Sequence, residues 1–380
     1  MKFIHTSDWH IGRQFHNVSL LEDQQHVLEQ ILGYIKEENV DAVVIAGDIY
    51  DRSVPPAVAV ELLDEVFNTI CSTGVQLLLI PGNHDSAERL GFASRQLRQA
   101  GVHIFGNFNQ MTDPVLVKGA EASVYFYGIP YNDPTQVRNH YEADVSSYDE
   151  ANDYLLEQIN AVRDKDAINV LISHCFIDGA DESESERPLS IGGADRVSYQ
   201  SFADFDYVAL GHLHSPQYKG GKHIRYSGSI LKYSFSEQKQ NKGITLVEMN
   251  ASGVKAIKNL PLNPLRDLRI IEGELHKIIE AGKVDPGADD YLLIRLTDTH
   301  AILDPMGKLR TVYPNVLHLE KPGMLINVDQ KISRDRLKRG ELEMFRDFFK
   351  QVHGQPLSKD QDAAVIAAID EVKAAQGETA

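Results

Sequence analysis

Five short polar phrases in this chain each follow an apolar run of strand length. The phrases are Asp8-Trp9-His10, Gly47-Asp48-Ile49-Tyr50-Asp51, Gly82-Asn83-His84-Asp85, Ser173-His174 and Gly211-His212-Leu213-His214. Continuous Val, Ile and Leu runs such as 42–46 and 77–80 are typical of strands buried on both faces of an α/β domain. Because ligands of such domains gather outside the carboxyl ends of the strands, the pattern predicts one polar site built from five strand ends.

The donor types in these phrases indicate divalent metal. They supply carboxylates, an amide and imidazoles in sufficient number for two ions, and such a mixed set suits Mn²⁺, Fe²⁺ or Zn²⁺ better than Ca²⁺. Cysteine is not the basis of the site, since the two cysteines, Cys71 and Cys175, form no C-x-x-C pattern. Two divalent metals side by side hydrolyse phosphate esters, so the prediction is a two-metal phosphoesterase.

Local geometry gives a further expectation. In an extended segment, residues two apart point to the same face, so Asp8 should project with His10 and His212 with His214. An isolated D-x-H or H-x-H is mostly chance, but five phrases in order, each after an apolar run, are a specific signal.

The glycines and the other histidines are interpreted separately. Gly47, Gly82 and Gly211 are expected to let the backbone turn sharply where each ligand leaves its strand. His5 lies inside the first predicted strand and is predicted to be a hydrogen-bonded core residue. The histidines outside the five phrases have no ligand partner at useful spacing and are interpreted as structural or surface residues.

The order D-x-H, GD-x-x-D, GNHD, H, GH-x-H resembles the calcineurin-like metallophosphoesterase superfamily. Four longer stretches resemble its SbcD-like nucleases, namely 4–12, 47–51, 207–214 and 226–229, and the last continues into 234–237. The resemblance is strong over residues 1–260 and rests on layout beyond them. It implies a layered α/β metallophosphoesterase fold of two packed β-sheets flanked by helices, with a small α/β capping domain and a C-terminal helical tail.

The resemblance also assigns metal ligands. Asp8, His10 and His214 would bind one metal ion, Asn83, His174 and His212 would bind the other, and Asp48 would bridge the two.

Three neighbouring residues receive other roles from the resemblance. His84 would face the scissile phosphate and help protonate the leaving oxygen, while Asp85 would fix the orientation of His84. Asp51 would hydrogen-bond a ligand rather than touch metal.

The function implied is a Mn-dependent DNA nuclease, both a double-strand exonuclease and a single-strand or hairpin endonuclease. It would use two divalent ions, which the resemblance implies to be Mn²⁺, and work with the SbcC ATPase in double-strand break and hairpin processing. A homodimer within a heterotetramer-type complex is also implied.

Two alternatives stay open. Asp51-Arg52-Ser53 resembles the D-R-G of protein phosphatases, which favours a phosphomonoesterase or protein phosphatase, although Ser replaces Gly and the third phrase ends in Asp85 rather than Glu. A non-catalytic scaffold would be expected to have lost ligands, and here every expected ligand is present.

The charge distribution bears on a DNA substrate. A formal net charge of −17 is unusual for a nucleic-acid enzyme. A basic run between Gln217 and Gly243 carries six Lys and Arg residues against Glu237, and it could contact phosphate or be an ordinary solvated hairpin. An acidic loop is predicted to be solvated and mobile; it contains Asp178, Asp181, Glu182, Glu184 and Glu186. A partner would supply much of the DNA surface.

The chain is predicted to have three parts. They are a nuclease domain over 1–262, a DNA-capping domain over 263–325 with strands at 268–271, 291–296 and 316–319, and C-terminal helices over 326–380 that dock the SbcC ATPase. Helices are predicted at 20–38 and 56–72, and Ser358 with Gln361 forms a candidate capping box. No run approaches the ~18 apolar residues of a membrane span. Two unpaired cysteines and the lack of a signal-peptide pattern predict a cytoplasmic location.

Overall fold

The structure is a computed structural model that describes residues 1–186, 195–300, 302–321, 341–353 and 355–375. The chain divides into two compact units, Met1–Leu265 and Arg266–Ala380.

The first unit contains sixteen strands and six α-helices among the described residues. The strands are β1 (Lys2–Thr6), β2 (Gln14–Phe15), β3 (Val18–Ser19), β4 (Ala42–Ala46), β5 (Gln76–Ile80), β6 (Val102–Ile104), β7 (Val115–Lys118), β8 (Ser123–Ile129), β9 (Ile168–His174), β10 (Phe176–Ile177), β11 (Arg196–Val197), β12 (Tyr207–Gly211), β13 (Gln217–Tyr218), β14 (Ile224–Tyr226), β15 (Gly243–Asn250) and β16 (Gly253–Pro261). The helices are α1 (Leu21–Glu37), α2 (Ala57–Ser72), α3 (Ala87–Leu90), α4 (Ser94–Leu97), α5 (Pro134–Tyr141) and α6 (Tyr148–Val162).

Two six-stranded sheets form the centre of this unit. Their strand orders are β16-β15-β1-β4-β5-β6 and β13-β14-β12-β9-β8-β7. β1, β4, β5 and β6 run parallel in the first sheet, and β8, β9, β12 and β14 run parallel in the second. A shared apolar cluster includes Val44 and Leu78 from one sheet with Val170 and Ala209 from the other. The predicted fold class of two packed sheets flanked by helices is confirmed.

The predicted helices have the expected apolar faces. α1 buries Val27, Leu28, Ile31 and Ile35, which lie on one side of a helix with 3.6 residues per turn. α2 follows Pro56, whose extended backbone precedes the first helical turn. Both helices start and end within one residue of the predicted ranges.

The second unit contains a small parallel sheet and four helices among the described residues. Its elements are β17 (Leu268–Gly273), α7 (Leu275–Gly282), β18 (Tyr291–Leu296), α8 (Pro305–Arg310), β19 (Val316–Glu320), α9 (Glu341–His353) and α10 (Lys359–Ala375). The sheet order is β17-β18-β19, and Leu292, Ile294, Leu309 and Tyr313 belong to its buried core. The three predicted strands are confirmed.

The C-terminal helices also follow the sequence pattern. Gln361 N donates to Ser358 Oγ at 3.3 Å, and Ser358 N donates to Gln361 Oε1 at 2.9 Å, so the predicted capping box is confirmed. Arg346 pairs with Asp362, joining α9 to α10. Residues 326–340 of the predicted C-terminal helices lie outside the described residues. None of the helices that the structure describes is long and apolar enough to cross a membrane.

The three glycines that begin polar phrases have different structural roles. Gly47 has φ +89° and makes the predicted turn. Gly82 and Gly211 do not have positive φ, so the turn explanation is wrong for them. They permit close approach instead, because a Cβ at Gly82 would lie 2.2 Å from Asp48 Oδ1 and one at Gly211 would lie 1.8 Å from the Ala46 carbonyl oxygen.

The substitution Gly211→Ala should therefore destabilise the fold. The new methyl group would push β12 away from Ala46, and such overpacking costs about 3 kcal/mol. Gly33→Ala is the matched control, because Gly33 lies in α1 with nothing within 4 Å of the added Cβ and should gain about 0.5–1 kcal/mol. Thermal and denaturant unfolding of both variants test this, and equal stability of the two would contradict it.

Candidate metal centre

The polar phrases converge at the carboxyl ends of strands from both sheets. They follow β1, β4 and β5 of the first sheet and lie at the ends of β9 and β12 of the second. In the parallel pairing of β12 with β9, Gly211 lies opposite His174, so the phrase that begins at Gly211 starts beside that imidazole. Packing of the two sheets thus determines which side chains meet.

All seven predicted ligands are brought together, in two groups. In one group, ligand atoms of Asp8, His10 and His214 lie within 4.8 Å of one another. In the other, the same holds for Asp48, His174 and His212. Asn83 joins the second group, because its Oδ1 lies 3.0 Å from His174 Nε2 and 3.1 Å from His212 Nδ1.

Asp48 lies between the groups. Its Oδ2 is 3.7 Å from His10 Nε2 and 3.5 Å from His174 Nε2, while its Oδ1 accepts from the His84 backbone N–H at 2.9 Å. The carboxylate is 2% exposed. It therefore faces imidazoles of both groups.

The backbone at these residues is not extended. The φ angles of Asp8, His10, Asp48 and His212 are 53°, 46°, 49° and 101°, all in the left-handed region. β1 ends at Thr6 and β12 at Gly211, so the strand geometry behind the expectation is wrong. Asp8 and His10 nevertheless converge in one group as predicted, whereas His212 and His214 lie in different groups. The left-handed turns cost conformational energy and place the four side chains by tight loop geometry instead.

Hydrogen bonds between loops hold these turns in place. Asp8 N donates to Gly47 O at 3.0 Å and His10 N donates to Asp48 O at 2.9 Å. The Asp8 carboxylate accepts from His212 N at 3.0 Å, which ties the first sheet's loop to the second sheet's loop.

Burial sets the protonation of the donors. It lowers the pKa of His212 to about 3 and that of His10 well below its usual value, so both imidazoles are neutral and carry a lone pair. Burial also raises the pKa of Asp8 to about 8. For Asp48, burial opposes ionisation but the adjacent His174 outweighs it, and the pKa lies well below its ordinary value.

The residues fit divalent metal. Two buried polar atoms of the site, His10 Nδ1 and Asn83 Nδ2, have no hydrogen-bond partner among the described residues. His10 Nε2 faces His214 Nε2 at only 3.1 Å. Imidazoles, carboxyl groups and an amide oxygen that converge in this way are a donor set for transition metals.

His84 is held by a backbone carbonyl. Its Nδ1 donates to Asp51 O at 2.7 Å, and its ring centroid lies 4.7 Å from that of His10. Ligand atoms of His84, His10 and Asp48 also lie within 4.8 Å of one another, so distance alone would permit it to bind metal. Because Nδ1 carries the proton, Nε2 is the nitrogen that can face a substrate.

The hydrogen bonds described for the Asp85 carboxylate go to backbone groups rather than to the His84 ring. The Asp85 carboxylate accepts from the backbone N–H groups of Ile49, Tyr50 and Gly82 at 3.0, 2.9 and 2.9 Å. Three unpaired backbone donors at adjacent turns need acceptors, and this carboxylate supplies them. Asp85 therefore joins the 48–50 loop to the 82–85 loop, while Asp51 O orients the His84 ring.

Asp51 also differs from its expectation. Its carboxylate oxygen lies 3.7 Å from His10 Nδ1, which is beyond hydrogen-bond distance, and it pairs instead with Arg13 at 3.3 Å.

The prediction for His5 is confirmed: its side chain is fully buried and forms hydrogen bonds with Tyr207 Oη at 3.0 Å and Leu210 O at 3.1 Å.

Comparison with known proteins identifies the family of the chain. Residues 1–216 match the family described as calcineurin-like phosphoesterase, and residues 264–353 match a domain described as the type 5 capsule protein repressor C-terminal domain. The chain is 35% identical to the SbcD subunit of nuclease SbcCD from Staphylococcus epidermidis over 95% of this chain and 96% of that protein. It belongs to the calcineurin-like phosphoesterase family.

A second sequence relative agrees with the assignment. The SbcD subunit of nuclease SbcCD from Staphylococcus saprophyticus is 34% identical over 96% of both chains. A solved dimetal phosphatase from Danio rerio overlaps 69% of this chain and 98% of its own, at 13% identity and a TM-score of 0.41; the family assignment rests on the sequence matches. All five polar phrases lie inside the calcineurin-like phosphoesterase match.

Several residues of the site were not found from the sequence. Ser185 Oγ bonds His214 Nδ1 at 2.7 Å, and Glu186 Oε1 accepts from His214 N at 2.6 Å. Burial raises the pKa of Glu186 to about 7. The expectation of a solvated acidic loop is therefore wrong at Glu186, because a buried backbone N–H of the GHLH phrase requires an acceptor.

The basic run is only partly exposed. Lys242 is buried, pairs with Glu237 at 2.6 Å and donates to His214 O at 2.8 Å. Lys222 and Lys239 are exposed, so they remain available to a ligand, whereas Lys242 belongs to the interior. Glu237 lies in the 234–237 stretch, which was singled out from the sequence for its resemblance but to which no role was assigned.

Trp9, the chain's single tryptophan, lies between two of the predicted ligands. It is fully buried, and its Nε1 donates to Thr6 Oγ1 at 2.9 Å. Gln24 Nε2 donates to Trp9 O at 3.1 Å and to His10 O at 2.7 Å. α1 therefore supports the first polar phrase through one amide side chain.

Asp85→Asn should weaken the fold around the site more than it changes His84. The amide would direct N–H groups at backbone N–H groups, and an unsatisfied buried donor costs about 1–3 kcal/mol. Glu88→Gln is the control, because Glu88 is exposed three residues away. Thermal unfolding without metal measures the effect. An unchanged melting temperature in Asp85→Asn would contradict the role of Asp85 in joining the 48–50 and 82–85 loops.

Proposed function

We propose that this chain is a metal-dependent nuclease that hydrolyses phosphodiester bonds in DNA, with both exonuclease and hairpin endonuclease activity. The observation that carries the proposal is the position of Asp48 between two groups of buried nitrogen and oxygen donors, with His84 beside them. The two staphylococcal SbcD relatives, aligned over almost the whole chain and named as nuclease subunits, support a nucleic-acid substrate over a small ester.

Two divalent ions, proposed to be Mn²⁺, are the cofactors. One ion would be held by Asp8, His10 and His214. The other would be held by Asn83, His174 and His212, and Asp48 would bind both ions. Such ions, when bound, activate water for attack and neutralise charge on phosphoryl oxygens. An imidazole must be deprotonated to bind metal, and burial lowers the pKa of His10 and His212 in agreement with this requirement. The pKa of His174 is lowered by burial but raised further by Asp48, to about 9, so metal binding would release a proton from His174.

His84 would supply the acid. The bond from its Nδ1 to Asp51 O holds the ring in one orientation and directs Nε2 away from that carbonyl. When Nε2 is protonated, it can donate to the oxygen that leaves after the P–O bond breaks. General acid assistance of this kind contributes about 10²–10⁴-fold to the rate.

Partners complete the proposal. Within the basic run, Lys222 and Lys239 provide a modest exposed basic surface, which supports a substrate surface shared with the SbcC ATPase and a second copy of the chain. Residues 263–325 would cap the DNA and residues 326–380 would dock SbcC. A cytoplasmic location is part of the proposal, and the free thiols of Cys71 and Cys175 agree with a reducing compartment.

A phosphatase is the competing function. Arg52 is 57% exposed, and its guanidinium lies 3.9 Å from Asp51, the residue whose carbonyl holds His84. An exposed cation at this place could grip a phosphate monoester.

Cleavage of DNA separates the two functions. The purified chain should degrade labelled single-stranded and blunt double-stranded DNA with Mn²⁺, and lose the activity with EDTA or in Asp48→Ala. Intact DNA together with hydrolysis of p-nitrophenyl phosphate would support the phosphatase instead.

His84→Ala should retain both metal ions and lose most of kcat, by about 10²–10⁴-fold, because the ring acts on the leaving oxygen. Elemental analysis after dialysis gives the metal content, and single-turnover cleavage gives the rate. Loss of one metal equivalent would reassign His84 as a ligand, which its distance to Asp48 and His10 permits.

The C-terminal helices should bind the SbcC ATPase. Deletion of residues 331–380 is expected to abolish association but spare Mn²⁺-dependent cleavage. A point variant tests the same surface, since Phe348 on α9 is 59% exposed and Phe348→Asp should weaken association about tenfold or more. Val284→Asp, at a site 83% exposed, is the control. Size-exclusion chromatography with SbcC measures binding, and retained association of the deletion would reject this role.

A further inference from the structure

The loop 181–186 is bound to the candidate metal centre by several contacts. Ser185 Oγ bonds His214 Nδ1 at 2.7 Å, and Arg13 Nη2 donates to Ser185 O at 3.3 Å. Glu184 N donates to Ser236 Oγ at 3.2 Å, and Gln240 Nε2 donates to Ser183 Oγ at 3.1 Å. The loop therefore reaches the GHLH phrase, the 234–237 stretch and Arg13, three residues after the first polar phrase.

The direction of the hydrogen bonds around His214 is determined by one charge pair. Lys242 lies 2.6 Å from Glu237 Oε2, with both side chains at most 4% exposed. An ammonium this close keeps the carboxylate ionised, so Glu237 can only accept. Ser185 Oγ donates its single proton to Glu237 Oε1 and must therefore accept from His214 Nδ1.

This direction fixes the tautomer of His214. With the proton on Nδ1, the Nε2 lone pair faces the site, where His10 Nε2 lies 3.1 Å away. Without the hydroxyl, the nearest acid oxygen is Glu237 Oε1, which lies 3.5 Å from His214 Nδ1 and makes a poor replacement.

We propose that Ser185 is a positioning residue for the metal centre: its hydroxyl links His214 to the buried Glu237–Lys242 pair and holds the imidazole in its metal-binding tautomer. Ser185 is then part of the centre, although Asp181, Glu182 and Glu184 of the same loop are exposed. This inference rests on the proposed metal site, and it concerns only the ion that Asp8, His10 and His214 would hold.

The test is Mn²⁺ binding by isothermal titration calorimetry on the full chain. Ser185→Ala should weaken one of the two binding events by about 10–100-fold and leave the other unchanged, because Asn83, His174 and His212 do not contact Ser185. Ser183→Ala is the matched control: it is the same substitution in the same loop, and Ser183 Oγ contacts Gln240 rather than His214. Ser185→Thr keeps the hydroxyl and should restore binding.

Two further measurements make each outcome decisive. Thermal unfolding of the metal-free variants separates loss of the site from loss of the fold, and long-range ¹H–¹⁵N spectra of the histidine rings report the His214 tautomer. Equal Mn²⁺ affinity of both events in Ser185→Ala and wild type would overturn the inference while leaving the proposed function intact. Absence of Mn²⁺ binding by the wild type would overturn both.

Discussion

The burial of the Asp48 carboxylate among imidazoles is the constraint on which the site depends. Burying a carboxylate that is only 2% exposed costs free energy unless its charge is compensated. Here the His174 imidazole and the backbone N–H of His84 both face the Asp48 carboxylate. Both sheets contribute to this compensation, because Asp48 follows β4 while His174 ends β9. Any shift of one sheet against the other would leave the charge uncompensated, so the packing of the apolar core and the geometry of the site are maintained together.

The loops that carry the predicted metal ligands are held by hydrogen bonds from neighbouring side chains. Asp85 accepts from three backbone N–H groups of two loops, and Gln24 holds the carbonyls of Trp9 and His10 from α1. Polar groups buried in this way are costly if one partner is lost, so they restrict each loop to one conformation. The four left-handed residues of the site persist for the same reason.

The sequence predicted the composition of the site better than its geometry. Apolar runs ending in polar phrases were sufficient to place Asp8, Asp48 and His174 at neighbouring strand ends. The left-handed turns and the partners of Asp85 could not be predicted, because they depend on which backbone N–H groups the folded loops leave unpaired. Ser185 and Glu186 were missed since composition alone makes an acidic loop look solvated, whereas their contacts arise from residues about thirty positions further along the chain.

The position of Trp9 has a practical consequence. It is the only indole in the chain, it is fully buried, and its two sequence neighbours are Asp8 and His10. Indole emission responds to charge and polarity around the ring, and no other tryptophan contributes a background signal. The protein therefore carries an intrinsic optical reporter at its functional centre, and changes there can be followed in the unlabelled chain.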